Sequence, residues 1–597
     1  MKLRLYSILF LAILTASCAN RGIGPQGGPK DTIPPVPLKS EPVNGAVDFH
    51  GKRIEISFNE YLQLSDLGSN LLISPPQKSA PDVKARGKRV IVQFQDTLRD
   101  STTYTIDFGS AICDYTEKNP IKGYSFAFST GPTIDTLVVY GRVFDALTLN
   151  PLSGICAGIH ANLADSAFSR ETFLRIAKTD SAGYFRIGNI HQGRYRLYAV
   201  DDISRDYCLT PGEACAFQDS VLSITQPIAS QPDTTDSIIN HKSPITNHKF
   251  EIINLFLFKE EQPRLYLQRT LREEPHKIQL LFSSRPDSLP QIRSLTDSIS
   301  YVTEFSRYKD TVSLWLTDSL SIFNDSIFLE ARYRRTDSLF HLEWYTDTLR
   351  AIFRKPRMSS TQRETKGLQL KNRRLEIKTN GRKGFDVYDT LRLAFGAPLA
   401  VLHLDSMHLV ERVENGGEKP ISFTVMPYDT LPMVLTILAE FKPGGKYDLK
   451  LDSATFTDVY GTTHIAASYG IEVKKIEDYA TLRVKLEPFV PKARLQLLNT
   501  KDQVILDCPA VEGEGTLFEY LKPGDYYLRM YIDENGDGKW TTGSWEHKRQ
   551  PELMYYFPNK VNTRANWDFE EVWNYEAVER TKAKPVELIK AAPQKKK

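Results

Sequence analysis

Short segments in which apolar and polar residues alternate recur through most of the chain. Residues 54–58, 90–94, 104–108 and 124–128 are clear examples near its start. A period of two places successive side chains on opposite faces of a strand, so that one is buried and the next meets solvent. Gly, Pro and Asp separate the segments, which is typical of turns between short strands. The pattern predicts an all-β chain built from β-sandwiches.

The length of the chain indicates how many modules it contains, and its net charge restricts the class of partner. Its 597 residues are too many for one hydrophobic core, and domains of roughly 150 residues would give about four modules. The formal net charge is only +3, so there is no basic excess of the kind that favours nucleic acid as a partner.

The first residues have the features of an export signal. Lys2 and Arg4 precede an apolar run at residues 5–14, and small residues then lead to Cys18. The run is shorter than the ~20 residues that span a bilayer, so residues 1–17 are predicted to be a signal peptide. The sequence Leu-Thr-Ala-Ser-Cys at residues 14–18 resembles the lipobox of bacterial lipoproteins. The resemblance implies that mature Cys18 carries a diacylglycerol and an N-acyl chain such as palmitate, which would anchor the protein to a membrane.

A tether and a first module follow Cys18. Residues 18–36 are rich in Gly and Pro and lack hydrophobic periodicity, so they are predicted to be a flexible tether. Residues 37–131 contain Pro42-Val43-Asn44-Gly45 and end in Phe-Ser-Thr-Gly at residues 128–131. This order resembles the bacterial Ig-like domain of envelope lipoproteins of the Bacteroidota type, which implies an Ig-like sandwich.

The second module, predicted at residues 138–221, carries a different set of motifs. Strand residues 139–145 precede a Pro-Leu-Ser-Gly turn, an Asp-Ser-Ala-Gly-Tyr-Phe hairpin and the Gly-Arg-Tyr strand that begins at Gly193. The order resembles the carboxypeptidase regulatory-like or Cna-B-like prealbumin-type sandwich. That family implies a spacer or binding unit without catalysis of its own.

The remaining segments continue the succession of Ig-like and prealbumin-like modules. Residues 222–247 are polar and predict a linker, 252–356 predict an all-β domain that resembles no family, and 366–475 resemble a second Ig-like sandwich. Residues 479–573 repeat the Gly-x-Tyr motif in a predicted prealbumin-like domain, and 576–597 are predicted to be a flexible tail.

One loop has the spacing of a calcium site. Asp533, Asn535 and Asp537 place side-chain oxygens at the first, third and fifth positions of a glycine-containing turn, as calcium loops require. Ser544 stands at the twelfth position, where a bidentate Glu would be expected. A polar turn stabilised by its own Asp and Asn side chains explains the same residues, so both interpretations stay open. No other cofactor is predicted.

Two kinds of covalent modification are also predicted. Five cysteines follow Cys18, an odd number, and Cys208 and Cys215 flank a turn that a disulfide could close. Triplets of Asp, Ser or Thr, and an aliphatic residue recur and resemble the O-glycosylation acceptor of exported Bacteroidota proteins, although the same triplets can begin a strand from an Asx-turn. The candidate acceptors are Thr97, Thr136, Ser288, Ser319, Ser338, Thr348, Thr390 and Thr430.

Catalytic motifs are missing from this sequence. It contains no Gly-x-Ser-x-Gly elbow, phosphate loop or His-Glu-x-x-His helix. The sequence therefore predicts a non-catalytic, lipid-anchored scaffold that binds envelope proteins or glycans, such as an accessory of an outer-membrane assembly or secretion machine. The alternatives are a surface adhesin or glycan-binding lipoprotein, and a hydrolase with its site in residues 252–356. Ala19, Asn20 and Arg21 are not acidic, unlike the usual start of surface lipoproteins, which favours the periplasmic face of the outer membrane.

Overall fold

The computed structural model of the chain describes residues 31–225, 252–260, 264–295, 299–306, 310–318, 322, 324–337, 341–353, 374–413, 416–427 and 433–589. They form two compact units, one with residues 31–145 and 150–258 and one with residues 146–149 and 259–589. Within these residues, two hydrophobic cores lie in the first unit and three in the second. The chain is an all-β tandem of β-sandwich modules, as the alternation predicts. Among the helices of the described segments, none combines the length and apolar character needed to cross a bilayer.

The first module is built from strands whose inward side chains are apolar. In Arg53–Phe58, for example, Ile54, Ile56 and Phe58 are buried in the core while Arg53 is exposed. Its elements are β1 (Pro37–Glu41), β2 (Arg53–Phe58), β3 (Leu62–Leu64), helix α1 (Leu67–Asn70), β4 (Leu72–Ser74), β5 (Asp82–Arg86), β6 (Arg89–Gln93), β7 (Thr103–Asp107), β8 (Ile112–Asp114) and β9 (Ser125–Ser129). The sheets have the orders β1-β2-β6-β5 and β4-β7-β9, and β3 pairs with β8.

The second module extends further along the chain than the sequence predicts. Its elements are β10 (Leu137–Asp145), β11 (Cys156–His160), helix α2 (Ala167–Arg170), β12 (Arg175–Lys178), β13 (Tyr184–Ile190), β14 (Gly193–Val200), β15 (Cys215–Phe217), β16 (Leu222–Ile224) and β17 (Ile252–Leu257). The sheets are β13-β10-β17 and β12-β11-β14-β15, with β16 also paired to β14. Strand β17 runs parallel to β10, and Leu255 and Leu257 enter this core. The predicted linker therefore begins with a strand, and residues 252–257 belong to this module rather than to the next.

A buried arginine joins the first two modules. Arg175 of β12 is nearly inaccessible to solvent, and its guanidinium donates hydrogen bonds to the carbonyl oxygens of Ser74, at 3.2 Å, and Thr103. Asp135 lies 3.6 Å from the same guanidinium. The backbone N–H of Ile176 also donates to the Ser74 hydroxyl at 3.1 Å. Because a buried cation needs partners on all sides, this contact fixes the joint between the two modules.

The third module is also a two-sheet sandwich. Its strands are β18 (Leu267–Glu274), β19 (Lys277–Phe282), β20 (Gln291–Ser294), β21 (Tyr301–Phe305), β22 (Thr311–Leu316), β23 (Ser326–Thr336) and β24 (Leu342–Ile352). The sheets have the orders β18-β19-β22-β21 and β20-β23-β24. Residues 252–257 lie outside its core, so the domain predicted at 252–356 starts later than expected.

The fourth module forms a sandwich around its own core. Its strands are β25 (Ile377–Thr379), β26 (Lys383–Phe385), β27 (Leu391–Phe395), β28 (Leu399–Leu402), β29 (Met407–Arg412), β30 (Glu418–Pro420), β31 (Phe423–Pro427), β32 (Val434–Ala439), β33 (Lys446–Leu451), β34 (Phe456–Asp458) and β35 (Ala467–Val473), with a 3-10 helix at Leu404–Ser406. The sheets are β25-β27-β32-β31 and β26-β35-β33-β29-β30, and β28 pairs with β34.

The fifth module repeats the topology of the second, strand for strand. A 3-10 helix at Ile476–Asp478 leads to β36 (Ala480–Glu487), β37 (Ala493–Leu498), β38 (Val504–Pro509), β39 (Thr516–Leu521), β40 (Gly524–Ile532), β41 (Met554–Tyr556), β42 (Val561–Thr563) and β43 (Asp568–Asn574). The sheets are β39-β36-β43 and β38-β37-β40-β41, with β42 also on β40. In both modules the last strand runs parallel to the first. The likeness suggested by Gly-x-Tyr therefore extends to the whole module.

The segment after the fifth module is packed, not flexible, as far as residue 589. Lys584 and Leu588 are buried, and Val586–Leu588 forms a 3-10 helix. The Lys584 ammonium lies 2.8 Å from the carboxylate of Asp502 and 4.6 Å from the centre of the Tyr556 ring. The predicted tail is therefore corrected for residues 576–589, because a buried ion pair holds this segment to the module.

Candidate functional site

The second and fifth modules carry a long loop at the same place in their shared topology. It joins β14 to β15 in the second module and β40 to β41 in the fifth. Both β14 and β40 begin with Gly-x-Tyr, at Gly193 and Gly524, and counting from these glycines places Asp202 opposite Asp533. The calcium-like spacing found in the sequence therefore belongs to a loop that occurs twice.

Asp533 organises the loop of the fifth module. One of its carboxylate oxygens accepts hydrogen bonds from the backbone N–H groups of Gly536, at 2.7 Å, and Asp537, at 3.2 Å. The other accepts from the N–H of Gly538 at 2.9 Å. Both glycines have positive φ, 75° and 74°, which a residue with a Cβ adopts only at a cost. Three N–H groups thus wrap around one buried carboxylate.

The other two predicted ligands lie in the same turn. Asn535 Oδ1 accepts from the N–H of Asp537 at 3.0 Å, and Asp537 Oδ1 accepts from the N–H of Lys539 at 2.7 Å. The Asn535 amide donates to Asp537 Oδ2 at 3.2 Å and to the Thr541 hydroxyl at 2.8 Å. The structure therefore brings Asp533, Asn535 and Asp537 together, each in a turn stabilised by its own side chain.

Glu552 closes the loop, and the sequence analysis did not identify it. Its carboxylate accepts from the backbone N–H of Glu534 and of Thr541, each at 2.9 Å. Its carbonyl oxygen accepts from the Trp540 indole N–H at 2.9 Å. Burial raises the pKa of Glu552, and the nearby charge of Asp533 adds to this effect. The far end of the loop is thus held by a second buried carboxylate.

The loop of the second module has the same hydrogen-bond pattern, formed by different residues. Asp202 accepts from the N–H of Asp206 at 3.1 Å, as Asp533 does from Asp537. The carboxylate of Glu213 accepts from the N–H groups of Ile203, at 2.8 Å, and Thr210, at 3.1 Å, as Glu552 does from Glu534 and Thr541. Glu213 and Glu552 each stand two residues before the next strand. They lie at different distances from Gly193 and Gly524, so it is the topology that shows that they correspond.

The two loops differ in backbone strain. Arg205 and Tyr207 occupy the positions of Gly536 and Gly538, with φ of 62° and 58°. A non-glycine residue in this region loses roughly 1–2 kcal/mol, so hydrogen bonds to Asp202 and Glu213 must hold the loop in its shape. Burial also raises the pKa of Asp202, with the charge of Glu213 adding to it.

The donor types of the fifth-module loop fit a hard cation, because carboxylate and amide oxygens are the ligands that Ca²⁺ prefers. Backbone N–H groups nevertheless account for both oxygens of Asp533. In the parts of the chain that the structure describes, no three His, Cys, Asp or Glu side chains are grouped so as to hold a metal ion. Calcium at Asp533, Asn535 and Asp537 stays a prediction.

No disulfide joins Cys208 and Cys215 in the structure, and the bond between them stays a prediction. Cys215 is buried in β15, and Cys208 lies in the loop that ends there. Burial, followed by a hydrogen bond with Asp206, raises the pKa of Cys208 to about 12.

The candidate glycosylation sites differ in accessibility. Thr97 and Thr136 are exposed in loops, whereas Ser288 and Thr390 are half-buried. Thr348 is exposed but lies inside β24, opposite Glu330, and not at a strand end as expected. Cys18, Ser319, Ser338 and Thr430 lie outside the described residues.

The segment predicted as an alternative location for hydrolase chemistry contains a pocket. Its lining consists of Arg285, Pro286, Asp287, Ser288, Leu289, Pro290 and Phe305. Asp287, the acid of this set, is 2.7 Å from the Arg334 guanidinium, and the lining includes no histidine.

Comparison with known proteins identifies one module. Residues 31–130 match the bacterial Ig-like domain family, which agrees with the sandwich at β1 to β9. No curated protein is similar to the chain.

The chain has distant likenesses among solved structures. The N-terminal part of the bacterial S-layer protein SbsC is 10% identical, covering 29% of this chain and 44% of its own, with a TM-score of 0.17. The Bacillus anthracis TIE protein is 10% identical over 92% of this chain and 76% of its own, with a TM-score of 0.12. Native alpha-2-macroglobulin from Escherichia coli, spanning domains MG0-NIE-MG1, is 10% identical over 50% and 97%, with a TM-score of 0.16. The chain thus spans less than half of the S-layer fragment, and scores this low say nothing about function.

Proposed function

We propose that the protein is a non-catalytic, lipid-anchored protein of the bacterial cell envelope, whose β-sandwich modules present binding surfaces away from the membrane. The observation that carries this proposal is the tandem of sandwich cores, one of which matches the bacterial Ig-like family. The lipobox-like sequence before Cys18 supplies the anchor in this account.

The placement of buried charge supports a structural role. Arg175 lies at the joint of the first two modules, and Asp386 lies at the joint of the fourth and fifth, 2.9 Å from the Lys474 ammonium and 2.7 Å from that of Lys522. Buried charges in enzymes usually converge on a cleft, whereas these two connect modules. Rigid joints suit a protein that holds a surface in a fixed place.

In this proposal the protein faces the periplasm from the outer membrane and serves an assembly or secretion machine. A second candidate, a glycan-binding lipoprotein, is favoured by the arginine-rich outer face of one sheet in the third module. Protease added to intact cells separates the two locations, because rapid loss of the protein would place it on the cell surface.

The proposed function is tested by crosslinking in native membranes, followed by purification of the protein and identification of what is attached. The matched control is Cys18→Ala, which leaves the described modules untouched. We expect the wild-type protein in the membrane fraction with envelope proteins crosslinked to it, and the variant without its anchor to lose both. Equal membrane recovery of the two proteins, without crosslinked partners, would contradict the proposal.

A further inference from the structure

The outer face of the sheet β20-β23-β24 carries an excess of arginine. Residues 327, 329, 331 and 333 of β23 point into the core, so their neighbours in sequence point outward. In register with them are residues of β20 and β24. The charged side chains of this outer face are those of Arg293, Glu330, Arg332, Arg334 and Arg350.

Two of the four arginines on this face have an acidic neighbour. Arg334 lies 2.7 Å from the carboxylate of Asp287, and Glu330 stands opposite Arg293 in the strand register. Arg332 and Arg350 remain as cationic groups, and from the position of Arg334 to that of Arg350 the face extends roughly 20 Å at 3.4 Å per residue. A face this long matches a ligand with repeated negative charges better than a single small anion.

An exposed tryptophan stands among the arginines. Trp344 of β24 is 49% exposed, and the Arg332 guanidinium lies 5.1 Å from the centre of its indole. Thr346 and Thr348, next on the same side of the strand, add exposed hydroxyl groups. An exposed indole beside hydrogen-bonding groups indicates a binding surface, because large aromatic side chains contribute most where their ring is covered.

From this arrangement we infer that the outer face of β20-β23-β24 binds an acidic polysaccharide. The apolar side of a sugar ring would stack on Trp344, its carboxylates would meet Arg332 and Arg350, and its hydroxyls would bond to Thr346 and Thr348. The choice of partner rests on the proposed function, since an exported protein meets envelope polysaccharides.

Other polyanions fit the face less well. A peptide that adds to a sheet is held by the backbone groups of a strand edge, whereas these side chains stand on the sheet's face. A membrane surface is bound by basic residues together with apolar groups that enter the lipid. On this face the exposed apolar side chains of Leu342 and Ile352 lie at opposite ends of β24, with hydrophilic threonines between them.

The test is affinity electrophoresis of the exported chain, made without its leader and lipid, in native gels that contain polygalacturonate or neutral dextran. Trp344→Ala and Arg332→Gln change the proposed face. Trp567→Ala is the matched control, because Trp567 is 56% exposed and has Arg564 over its ring at 5.8 Å on another module. Unchanged thermal melting establishes that each variant is folded. If Trp344→Ala does not fold, Arg332→Gln alone decides the outcome.

We expect polygalacturonate to retard the wild-type chain and dextran to leave it unaffected. Its dissociation constant should rise at least about tenfold in Trp344→Ala and severalfold in Arg332→Gln, stay within about twofold in Trp567→Ala, and rise with ionic strength. Equal effects of the two tryptophan variants, equal retardation by dextran, or no retardation would overturn the inference. Tighter binding to phosphatidylglycerol vesicles or single-stranded DNA would do so as well. Because the assay is in solution, its result does not depend on the lipid at Cys18.

Discussion

Asp386 is expected to hold the fourth and fifth modules together, and its replacement by Asn tests this role. The carboxylate is buried and accepts hydrogen bonds from Lys474 at 2.9 Å, Lys522 at 2.7 Å and the Tyr479 hydroxyl at 2.9 Å. Burial by itself would raise the pKa of Asp386, but the bonds from Lys522, Lys474 and Tyr479 outweigh it, so the pKa is lowered. Asn keeps one acceptor oxygen for Tyr479 but removes the charge and replaces the other oxygen, which accepts from Lys522, with an NH₂ donor.

The expected loss follows from the exposure of the partners. Breaking a fully buried ion pair costs about 3–5 kcal/mol, and an exposed pair contributes about 0.2–1 kcal/mol. The side chains of Lys474 and Lys522 are 30% and 51% exposed, so we expect an intermediate loss of about 2 kcal/mol. For a cooperative unit of about 150–250 residues, this lowers Tm by about 4–8 °C.

Differential scanning calorimetry of the exported chain measures this loss, since a multidomain protein shows separate transitions. Limited proteolysis identifies the affected transition, because the segment between β35 and β36 should become sensitive in Asp386→Asn. Asp452→Asn is the control, because Asp452 is exposed and its carboxylate lies 3.5 Å from the imidazole of His408, which is also exposed. Equal melting of the two variants would refute the assigned role of Asp386.

The lowered pKa also sets the pH dependence of this effect. An acid whose pKa is lower in the folded protein stabilises it above the unfolded value, 3.8, and loses that effect as pH falls through the folded value. The difference in Tm between the wild type and Asp386→Asn should therefore be constant near neutral pH and shrink below about pH 4. A difference that persists unchanged at pH 2 would contradict the mechanism.

Four further predictions concern other parts of the chain. Arg175→Met should destabilise the joint of the first two modules by about 2–3 kcal/mol, seen as faster proteolysis between β9 and β10; a cleavage rate equal to that of the wild type would be evidence against the joint. If the fifth-module loop binds calcium, Ca²⁺ should raise its melting temperature and Asp533→Asn should abolish the rise, whereas identical melting in Ca²⁺ and chelator would exclude a structural site. Glycopeptide mass spectrometry should find sugar on exposed Thr97 and Thr136 before Thr390, and the reverse order would show that accessibility does not control modification. With its raised pKa, Cys208 should react slowly with iodoacetamide at pH 8, and reaction at the rate of a small-molecule thiol would contradict its burial.

Local patterns in the sequence were enough to predict the all-β fold. Alternation in β2 and β6 and the Gly-x-Tyr motifs at Gly193 and Gly524 depend on neighbouring residues, and these features indicated the sandwich class. The addition of β17 to the second module was missed because parallel pairing with β10 joins residues more than a hundred positions apart, and nothing local encodes such a pairing.

The same limit applies to the candidate site, where residues close in sequence could be predicted and residues far apart could not. Asp533, Asn535 and Asp537 were found because they are close in sequence, whereas Glu552 and Glu213 act across a loop. Only the shared topology of the two modules shows that these glutamates correspond. The packed segment around Lys584 was predicted to be flexible because its polar sequence gives no hint of the buried partner Asp502.

The central claim is that this tandem of modules acts by binding while anchored in the envelope through Cys18. It is tested most directly by mass spectrometry of the N-terminal peptide of the protein purified from membranes. The account predicts a peptide that begins at Cys18 and carries a diacylglycerol and an N-acyl chain. A peptide that begins at Met1, or an unmodified Cys18 in a protein recovered from the aqueous fraction, would contradict it.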